Sequence, residues 1–262
     1  MYFMYHESSR PTGQIIAEAL QIPHGLQDTG RRENCLIRWG SGRATAYMPE
    51  VVMNTRRGIS NATNKFLSLE LFQRSGVPVP RFSRDCRALT APYLGRRTTH
   101  TRGSDIVLCL QHADGVRAER DYYIEYIPTA RELRAHVFNG SVIRAAEKAL
   151  AHRDQACGWI RNHEHGCIFV RPGIALTTMQ QYAAVSAVEA LGLTFGAVDL
   201  IVGDDGHTYI LEVNTAPACS PRTAREYVNA VVVLGNQHGF DIRPDYTALE
   251  QLRDVHDDDL ED

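Results

Sequence analysis

A single carboxylate, Asp199, interrupts an apolar run at residues 197–202 that otherwise has the composition of a buried β-strand. A Gly-Asp-Asp-Gly turn at 203–206 and a second strand at 208–213 complete a predicted hairpin. Because side chains on a strand alternate between its two faces, Glu212 and Asn214 project to the same side, near Asp199. Converging carboxylate and amide oxygens are ligands for a hard cation such as Mg²⁺. The hairpin therefore predicts a divalent-metal site, and a hydrogen-bonded structural acid is the alternative.

Composition limits the classes of protein to which the chain can belong. With 262 residues and 44% hydrophobic side chains, it can form one large domain or two smaller ones around a buried core. The net charge of −3 gives no basic excess, so nucleic-acid binding is not expected. No apolar run approaches the roughly 20 residues that cross a bilayer, and the first ten residues lack the order of a signal peptide. We therefore expect a cytoplasmic protein without membrane contact, and nothing in the sequence indicates its oligomeric state.

The six cysteines are scattered and contain no CxxC pair, so we expect free thiols. One local group has residue types that bind Zn²⁺, which leaves a zinc-stabilised interaction protein as a remote alternative. The group consists of His152, Cys157, His163, His165 and Cys167.

The order of predicted elements indicates an α+β (α/β) protein. A helix at 9–20 and a strand at 34–39 form a small α/β opening, and a helix at 63–75, capped by Asn61 or Thr63, ends at Gly76. Asn139-Gly140 is the strongest hairpin signal in a mainly antiparallel region. The strands of this region are expected at 93–96, 105–110, 121–127, 133–138 and 142–148, and two further helices are expected at 178–191 and 222–234.

Five segments, in this order along the chain, resemble the motifs of the ATP-grasp superfamily, especially its ribosomal-protein-S6-glutamylase-like and phage-encoded members. They lie at 61–80, 91–108, 122–127, 131–148 and 192–217. The resemblance implies two α+β lobes that grip ATP and meet near residue 127, preceded by a small α/β domain. We therefore expect an N-terminal region at 1–60, an ATP-grasp domain at 61–235 and a C-terminal extension with an acidic tail at 236–262.

The same resemblance implies which residues hold the phosphates of ATP. Lys65 and Arg96 are expected to reach them from two separate segments. Arginine can do so because its planar guanidinium contacts two phosphate oxygens at once. His100 and Gly103 fall in the position of the family's loop over the triphosphate, although this loop is poor in glycine here.

For the remainder of the nucleotide, the resemblance implies that backbone groups at Glu125 and Ile127 read the adenine edge and that Glu132 holds the ribose hydroxyls. These assignments depend on the resemblance, since residues 122–127 taken alone are only the end of a strand before a proline. A metal site at Asp199 and Glu212 is consistent with a bound triphosphate.

Three further residues are expected near the reacting groups. By resemblance, Arg134 and Lys148 lie near the γ-phosphate and the incoming carboxylate, where their charges offset those that develop during the reaction. Asn162 resembles an asparagine of the family's substrate loop. The structural alternatives are a cross-strand ion pair, such as Glu147 with Arg134, and a loop amide cap.

These residues together predict a ligase that depends on ATP and on Mg²⁺, in one or two ions, with Mn²⁺ as a possible substitute. The enzyme joins a small-molecule, peptide or protein carboxylate to an amine or thiol through an acyl phosphate and releases ADP. Alternatives are a small-molecule kinase that uses the same nucleotide site and a nucleotide-binding module without catalysis.

Overall fold

The computed structural model describes residues 1–99, 105–150, 167–170 and 173–255. These residues form six α-helices and thirteen β-strands. The helices are α1 (Arg10–Ala19), α2 (Arg56–Thr63), α3 (Lys65–Arg74), α4 (His112–Ala118), α5 (Thr178–Ala190) and α6 (Pro221–Gln237). The strands are β1 (Tyr2–Tyr5), β2 (His24–Gly25), β3 (Cys35–Trp39), β4 (Val51–Met53), β5 (Phe82–Ser83), β6 (Tyr93–Arg96), β7 (Val107–Cys109), β8 (Tyr122–Glu125), β9 (Thr129–Phe138), β10 (Ser141–Leu150), β11 (Cys167–Val170), β12 (Phe195–Gly203) and β13 (Thr208–Asn214). A 3-10 helix spans Tyr246–Val255.

The N-terminal sheet is parallel, with strand order β2-β1-β3-β4. β3 is buried along its whole length, and α1 begins with Pro11 in its first turn, where a missing backbone N–H has no cost. Trp39 stacks on Phe195 of β12 at 5.4 Å between ring centroids and meets Tyr227 of α6 edge-on at 5.0 Å. The N-terminal sheet therefore shares one core with α6 and the start of β12.

The central sheet has five antiparallel strands in the order β11-β10-β9-β12-β13. As predicted, Asn139 and Gly140 join β9 to β10, and both have the positive φ (44° and 76°) that a tight hairpin turn requires. Leu133, Ala135 and Val137 on one face of β9 belong to the same core as α5. The opposite face of β9 carries Glu132 and Arg134.

The smaller antiparallel sheet has the order β5-β8-β6-β7. Tyr122 of β8 packs edge-on against Phe66 of α3 at 5.6 Å, so this sheet is also joined to the central core. Residues 126–128 connect β8 directly to β9. The smaller sheet and the central sheet therefore flank this short connection, in the region where the sequence predicted that two lobes meet.

The cap predicted for the helix at 63–75 is wrong. Asn61 and Thr63 lie inside α2, which precedes it, and the cap of α3 is Asn64, whose side chain accepts from Leu67 N at 3.1 Å. The extended ψ of 99° at Asn64 separates the two helices. The expected boundary between residues 60 and 61 falls within α2, and the division into 1–60, 61–235 and 236–262 stays a prediction.

Within the described residues, no helix combines the length and apolar character needed to cross a membrane. Cys35, Cys86, Cys109 and Cys219 are buried free thiols. The zinc-type group and the acidic tail at 257–262 lie outside the described residues, apart from the backbone of Cys167.

Asn54 fastens the N-terminal sheet to the central sheet. It follows β4, is fully buried and has a left-handed backbone (φ 64°). Its side-chain oxygen accepts from Thr194 N at 2.9 Å and from Phe195 N at 3.0 Å, and its own N–H donates to Thr194 Oγ1 at 3.3 Å. The end of the parallel sheet is thus fixed to the first residues of the hairpin that carries Asp199.

Replacing Asn54 with alanine should lower the free energy of unfolding by about 2 to 4 kcal/mol. One buried and one partly buried N–H group lose their acceptor, and alanine tolerates the left-handed backbone less well. Urea denaturation measures the change. Asn139→Ala is the matched control, because Asn139 also has a positive φ but is exposed; its expected loss is about 1 to 2 kcal/mol. Equal losses for the two variants would contradict a fastening role for the Asn54 side chain.

Candidate functional site

One face of the central sheet brings charged residues from four strands together. Asp199 on β12 lies directly opposite Glu212 on β13 and directly opposite Arg134 on β9. Glu132 on β9 faces Lys148 on β10. Because side chains of residues two apart on a strand point the same way, these residues share a face, away from α5.

Asp199 is 4% exposed and is held by two cations. Arg134 donates from Nε to Oδ1 at 2.6 Å and from Nη2 to Oδ2 at 2.9 Å, which is a bidentate pair. Lys148 Nζ lies 3.7 Å from Oδ2 and also donates to Glu132. The structural alternative for Arg134, a cross-strand ion pair, is therefore formed, but with Asp199 and not with Glu147, which pairs with Arg131 at 2.6 and 2.9 Å.

Glu212 connects this sheet to helix α3. Lys65, the first residue of α3, places Nζ 3.1 Å from Glu212 Oε2. Asn214 donates from Nδ2 to Glu212 Oε1 at 3.3 Å, so the two residues lie on the same side of β13, as period-two alternation predicted. The three predicted metal ligands therefore face one region.

Asp199 and Glu212 are held in their ionised form. Burial is the largest influence on Asp199 and acts to raise its pKa, but Arg134 and Lys148 outweigh it and the pKa lies below its usual range. The same balance holds for Glu212, where burial is again largest and Lys65 is the main opposing charge, so the pKa is lowered. Both carboxylates are consequently available as anionic ligands at neutral pH.

The positive and negative charges of this cluster balance. We use "charged cluster" for six residues, three acids and three bases: Glu132, Asp199, Glu212, Lys65, Arg134 and Lys148. Removing one member leaves its partner as an unpaired charge. For a buried pair, this typically lowers the free energy of unfolding by about 3 to 5 kcal/mol. The arrangement is therefore stable without a ligand, and a ligand that binds to it must bring its own charge compensation.

The residues present fit a hard divalent cation. Asp199 and Glu212 offer carboxylate oxygens and Asn214 an amide oxygen, all on one side of the hairpin. Three protein groups leave room in an octahedral shell for other oxygens, such as those of phosphate and water. Within the described ranges, no group of three or more His, Cys, Asp or Glu side chains is placed to hold a metal, so this site depends on the Asn214 amide beside its two carboxylates.

Arg96 lies on β6 opposite Tyr122 and is close enough to Glu212 to lower the pKa of that carboxylate, after burial and Lys65. It thus approaches the charged cluster from the smaller sheet. Lys65 and Arg96, which are both predicted to contact the phosphates of ATP, both lie near the Glu212 carboxylate.

The residues predicted to hold adenine lie apart from the charged cluster. The Glu125 side chain accepts from Arg81 Nη2 at 2.9 Å and Nε at 3.1 Å, so its carboxylate faces β5. Ile127 packs against Gly203, where an added Cβ would come within 3.0 Å of Ile127 Cγ2. The Ile127 carbonyl accepts from Thr129 Oγ1 at 2.8 Å. His100, Gly103 and Asn162 lie outside the described residues.

Phe169 is a site residue that the sequence did not indicate. It lies on β11 opposite Lys148, and its ring centroid is 4.4 Å from Arg134 Cζ and 5.8 Å from Lys148 Nζ. Asp199 holds one edge of the Arg134 guanidinium while Phe169 covers its face, so the plane of the group is fixed. A single aromatic residue in a short strand carries no sequence signal for such a contact.

Comparisons with known proteins agree with this geometry. No protein-family model matches the chain. A probable alpha-L-glutamate ligase of Legionella pneumophila (strain Corby) is 28% identical over 186 residues, 63% of this chain and 59% of the relative. The chain thus spans about three fifths of the length of this relative. A probable alpha-L-glutamate ligase of Psychromonas ingrahamii is 25% identical over 238 residues, 82% of this chain and 76% of the relative.

Solved structures share the fold. The ATP-grasp ligase PsnB, complexed with a minimal precursor, superposes with a TM-score of 0.64 at 16% identity and covers 88% of this chain and 98% of its own. The D-alanine–D-alanine ligase of Bacillus anthracis, complexed with ATP, gives 0.62 at 14% identity, with 91% and 98% covered. These neighbours confirm the α+β fold expected from the sequence, and the relatives are named as ligases, in agreement with the expected class of enzyme. The chain has the ATP-grasp fold.

Proposed function

We propose that the chain is an ATP- and Mg²⁺-dependent ligase that joins a carboxylate to an amine. The observation that carries the proposal is the charged cluster together with Asn214. Two ionised carboxylates of the cluster and the Asn214 amide face one region, which Lys65, Arg134 and Lys148 border. The named relatives and fold neighbours are ligases. A cytoplasmic location, where ATP and Mg²⁺ are both available, is part of this proposal.

Asp199, Glu212 and Asn214 are proposed to hold the divalent ion. When bound, such an ion neutralises phosphate oxygens during phosphoryl transfer. PsnB has been solved with Mg and ADP. Two Mg²⁺ ions and a fully ionised triphosphate together add no net charge, which matches the balance of the cluster. We therefore propose two ions, with Mn²⁺ as a substitute.

Lys65 and Arg96 are proposed to contact the phosphates. Lys65 pairs with Glu212 at 3.1 Å in the structure, and its Nζ can exchange this carboxylate for a phosphate oxygen when Glu212 turns to a metal ion. His100 and Gly103 are proposed, by resemblance, to donate to the same phosphates. When Lys65 exchanges Glu212 for a phosphate oxygen and Glu212 binds the metal ion, neither charge is left unpaired.

The adenine and the ribose are proposed to bind at Glu125, Ile127 and Glu132. Glu125 and Ile127 would contact adenine through their backbone groups, because the side chain of Glu125 already binds Arg81. Glu132 is 7% exposed and already pairs with Lys148, so a ribose hydroxyl would donate to a carboxylate that is held in place.

Arg134 and Lys148 are proposed to stabilise charge on the reacting carboxylate and phosphate. Nε and Nη2 of Arg134 bind Asp199, which leaves Nη1 as the guanidinium nitrogen without a hydrogen-bond partner in the described part of the chain. One fixed N–H donor aimed at a developing negative charge is the arrangement that lowers a reaction barrier without reorganisation. Asn162 is proposed, by resemblance, to contact the substrate.

Phe169→Leu should lower kcat for ATP turnover about tenfold and leave KM for ATP nearly unchanged. Leucine keeps an apolar side chain but removes the ring face that orients Arg134, a contact worth up to about 2 kcal/mol when shielded from water. Phe169→Tyr should restore the rate, because it keeps the ring. Steady-state kinetics check both variants, and a lower melting temperature with unchanged kcat would show that Phe169 only packs.

The proposed function is tested by incubating the protein with ATP, Mg²⁺ and panels of amino acids, amines and peptides. We expect release of ADP and phosphate that requires both a carboxylate and an amine, with a product heavier by condensation in mass spectrometry. A carboxylate labelled with heavy oxygen should transfer one labelled atom to phosphate, since an acyl phosphate forms on the way. A phosphorylated product would instead identify a kinase, and nucleotide binding without ADP release would identify a non-catalytic module.

A further inference from the structure

The chain that follows β6 is tied to the smaller sheet by the side chain of Asp121. Asp121 directly precedes Tyr122, and Tyr122 pairs with Arg96, the last residue of β6. The Asp121 carboxylate accepts at Oδ2 from Thr98 N at 2.8 Å and from Thr98 Oγ1 at 3.1 Å, and at Oδ1 from Arg97 Nη1 at 3.2 Å. It therefore binds the two residues that come directly after Arg96.

The bond from the Thr98 backbone has the largest influence on Asp121. The pKa of Asp121 is lowered from its usual value, and the Thr98 N–H is the first cause, ahead of burial, which acts to raise the pKa, and ahead of Arg97. The ion pair with Arg97 is partly exposed, at 43% for the arginine side chain and 34% for the aspartate, and pairs of this kind contribute little to stability. Asp121 thus acts mainly as an acceptor that fixes the backbone at Thr98.

The carbonyl of Thr98 connects this contact to helix α3. Lys65 is the first residue of α3, and its backbone N–H donates to Thr98 O at 2.9 Å. The N–H groups in the first turn of a helix have no acceptor within the helix, so Thr98 satisfies a donor that needs a partner from elsewhere. The start of α3 is thus held from the smaller sheet as well as by its own cap, Asn64.

Two cations of the site are therefore tied to one carboxylate outside it. Lys65 Nζ lies 3.1 Å from Glu212 Oε2, and Arg96 also lowers the pKa of Glu212. Thr98 is bonded to the backbone of Lys65 and follows Arg96 by two residues. In the part of the chain that the structure describes, Asp121 makes no hydrogen bond to a member of the charged cluster. Its effect on the site must pass through the backbone at Thr98.

We propose that Asp121 is a positioning residue that aligns Lys65 and Arg96 with the phosphates of the nucleotide. It binds the N–H of Thr98, whose carbonyl in turn holds the first residue of α3, and it does not contact the nucleotide. The proposal rests on the proposed function, in which these two cations contact the phosphates, and it adds a residue to that site. Because Asp121 acts on the cations alone, it should affect the binding of phosphates and leave the binding of adenosine unchanged.

The test compares the affinities of the full chain for AMPPNP, a non-hydrolysable ATP analogue, and for adenosine, which has no phosphates. Isothermal titration calorimetry with Mg²⁺ measures both. Asp121→Ala should weaken AMPPNP binding about tenfold and change adenosine binding less than about twofold, because displaced cations lose part of their hydrogen bonding to charged oxygens. Asp121→Asn keeps an oxygen that can accept from Thr98 N, so it should recover most of the loss.

Asp114→Ala is the matched control. Asp114 also belongs to the region of the smaller sheet, and its Oδ2 accepts from two backbone N–H groups, those of Leu110 and Gln111, both at 3.0 Å. These bonds hold the start of α4 and not the chain after β6. The control should lower the melting temperature about as much as Asp121→Ala does, yet bind AMPPNP like the wild type. The melting temperatures also establish that all three variants are folded.

Amide hydrogen exchange at Lys65 gives a second readout, which needs no nucleotide. The Lys65 N–H should exchange about tenfold faster in Asp121→Ala than in Asp114→Ala, because its acceptor is no longer held in place. Equal exchange in the two variants overturns the proposal, and so does equal weakening of AMPPNP binding.

Two further results would also overturn the positioning role. One is a wild-type chain that binds AMPPNP no better than adenosine, and the other is an Asp121→Ala variant that loses affinity for both ligands alike. The ligase reaction can fail separately from this role. If Asp121→Ala selectively loses AMPPNP but the wild-type chain forms no condensation product from ATP, the proposed reaction is contradicted and the positioning role stands.

Discussion

Glu212→Gln should reduce Mg²⁺-dependent ATP turnover by more than about 100-fold while the protein remains folded. The change removes one of two carboxylates at the proposed metal site and leaves the shape of the side chain intact. Losing only an outer partner of a metal ligand typically costs about 10- to 100-fold, so losing a ligand should cost at least as much. Phosphate release at saturating ATP, titrated with Mg²⁺, measures the effect. The Mg²⁺ concentration for half-maximal rate should also rise.

Glu147→Gln is the matched control for this experiment. Glu147 is on β10, in the same sheet, and pairs with Arg131 at the half-exposed edge rather than within the charged cluster. Exposed pairs contribute about 0 to 1 kcal/mol, so turnover should change little. If Glu212→Gln kept its turnover, or if both variants lost it equally, the assignment of Glu212 as a metal ligand would be wrong.

Arg134→Met should have the second large effect, and it should separate stability from catalysis. Without Arg134, the buried carboxylate of Asp199 keeps only Lys148, at 3.7 Å, and we expect a loss of about 3 to 5 kcal/mol in the free energy of unfolding. ATP turnover should fall by about 100-fold or more, since a fixed donor to the reacting charge is lost. Urea denaturation and phosphate release measure the two changes.

The double variant Arg134→Met with Asp199→Asn tests the same pair. Neutralising both partners should recover much of the lost stability, because no unpaired charge remains, but it should not recover turnover. Arg131→Met is the control, since its partner Glu147 is partly exposed; its effect on unfolding should stay within about 1 kcal/mol. Recovery of turnover in the double variant would reduce Arg134 to a structural role.

Local patterns in the sequence predicted the hairpin that carries the site. Period-two alternation placed Glu212 and Asn214 on one side, and the structure shows them hydrogen bonded there. The Asn139-Gly140 turn was equally predictable, because few residues adopt two successive positive φ angles. These features depend on residues that are close together in the sequence, so sequence patterns predict them.

Other features depend on contacts between distant parts of the chain and could not be predicted. α2 has few apolar residues, so its sequence does not indicate a helix, and the pattern predicts the cap of α3 at Asn61 or Thr63 instead of Asn64. The pairing of Lys65 with Glu212 joins residues on two elements that only the tertiary fold brings together. The stacking of Phe169 on Arg134 has the same origin.

The fastening of the N-terminal sheet by Asn54 has a practical consequence for engineering this protein. If residues 1–54 were exchanged for those of a relative, the residue that accepts hydrogen bonds from Thr194 N and Phe195 N would also be exchanged. A chimera should express poorly, whatever its substrate contacts, if it has no asparagine at position 54. The same is expected if the backbone N–H groups at 194 and 195 no longer point to that asparagine. Segment exchange should therefore transfer both halves of this hydrogen-bonded joint together.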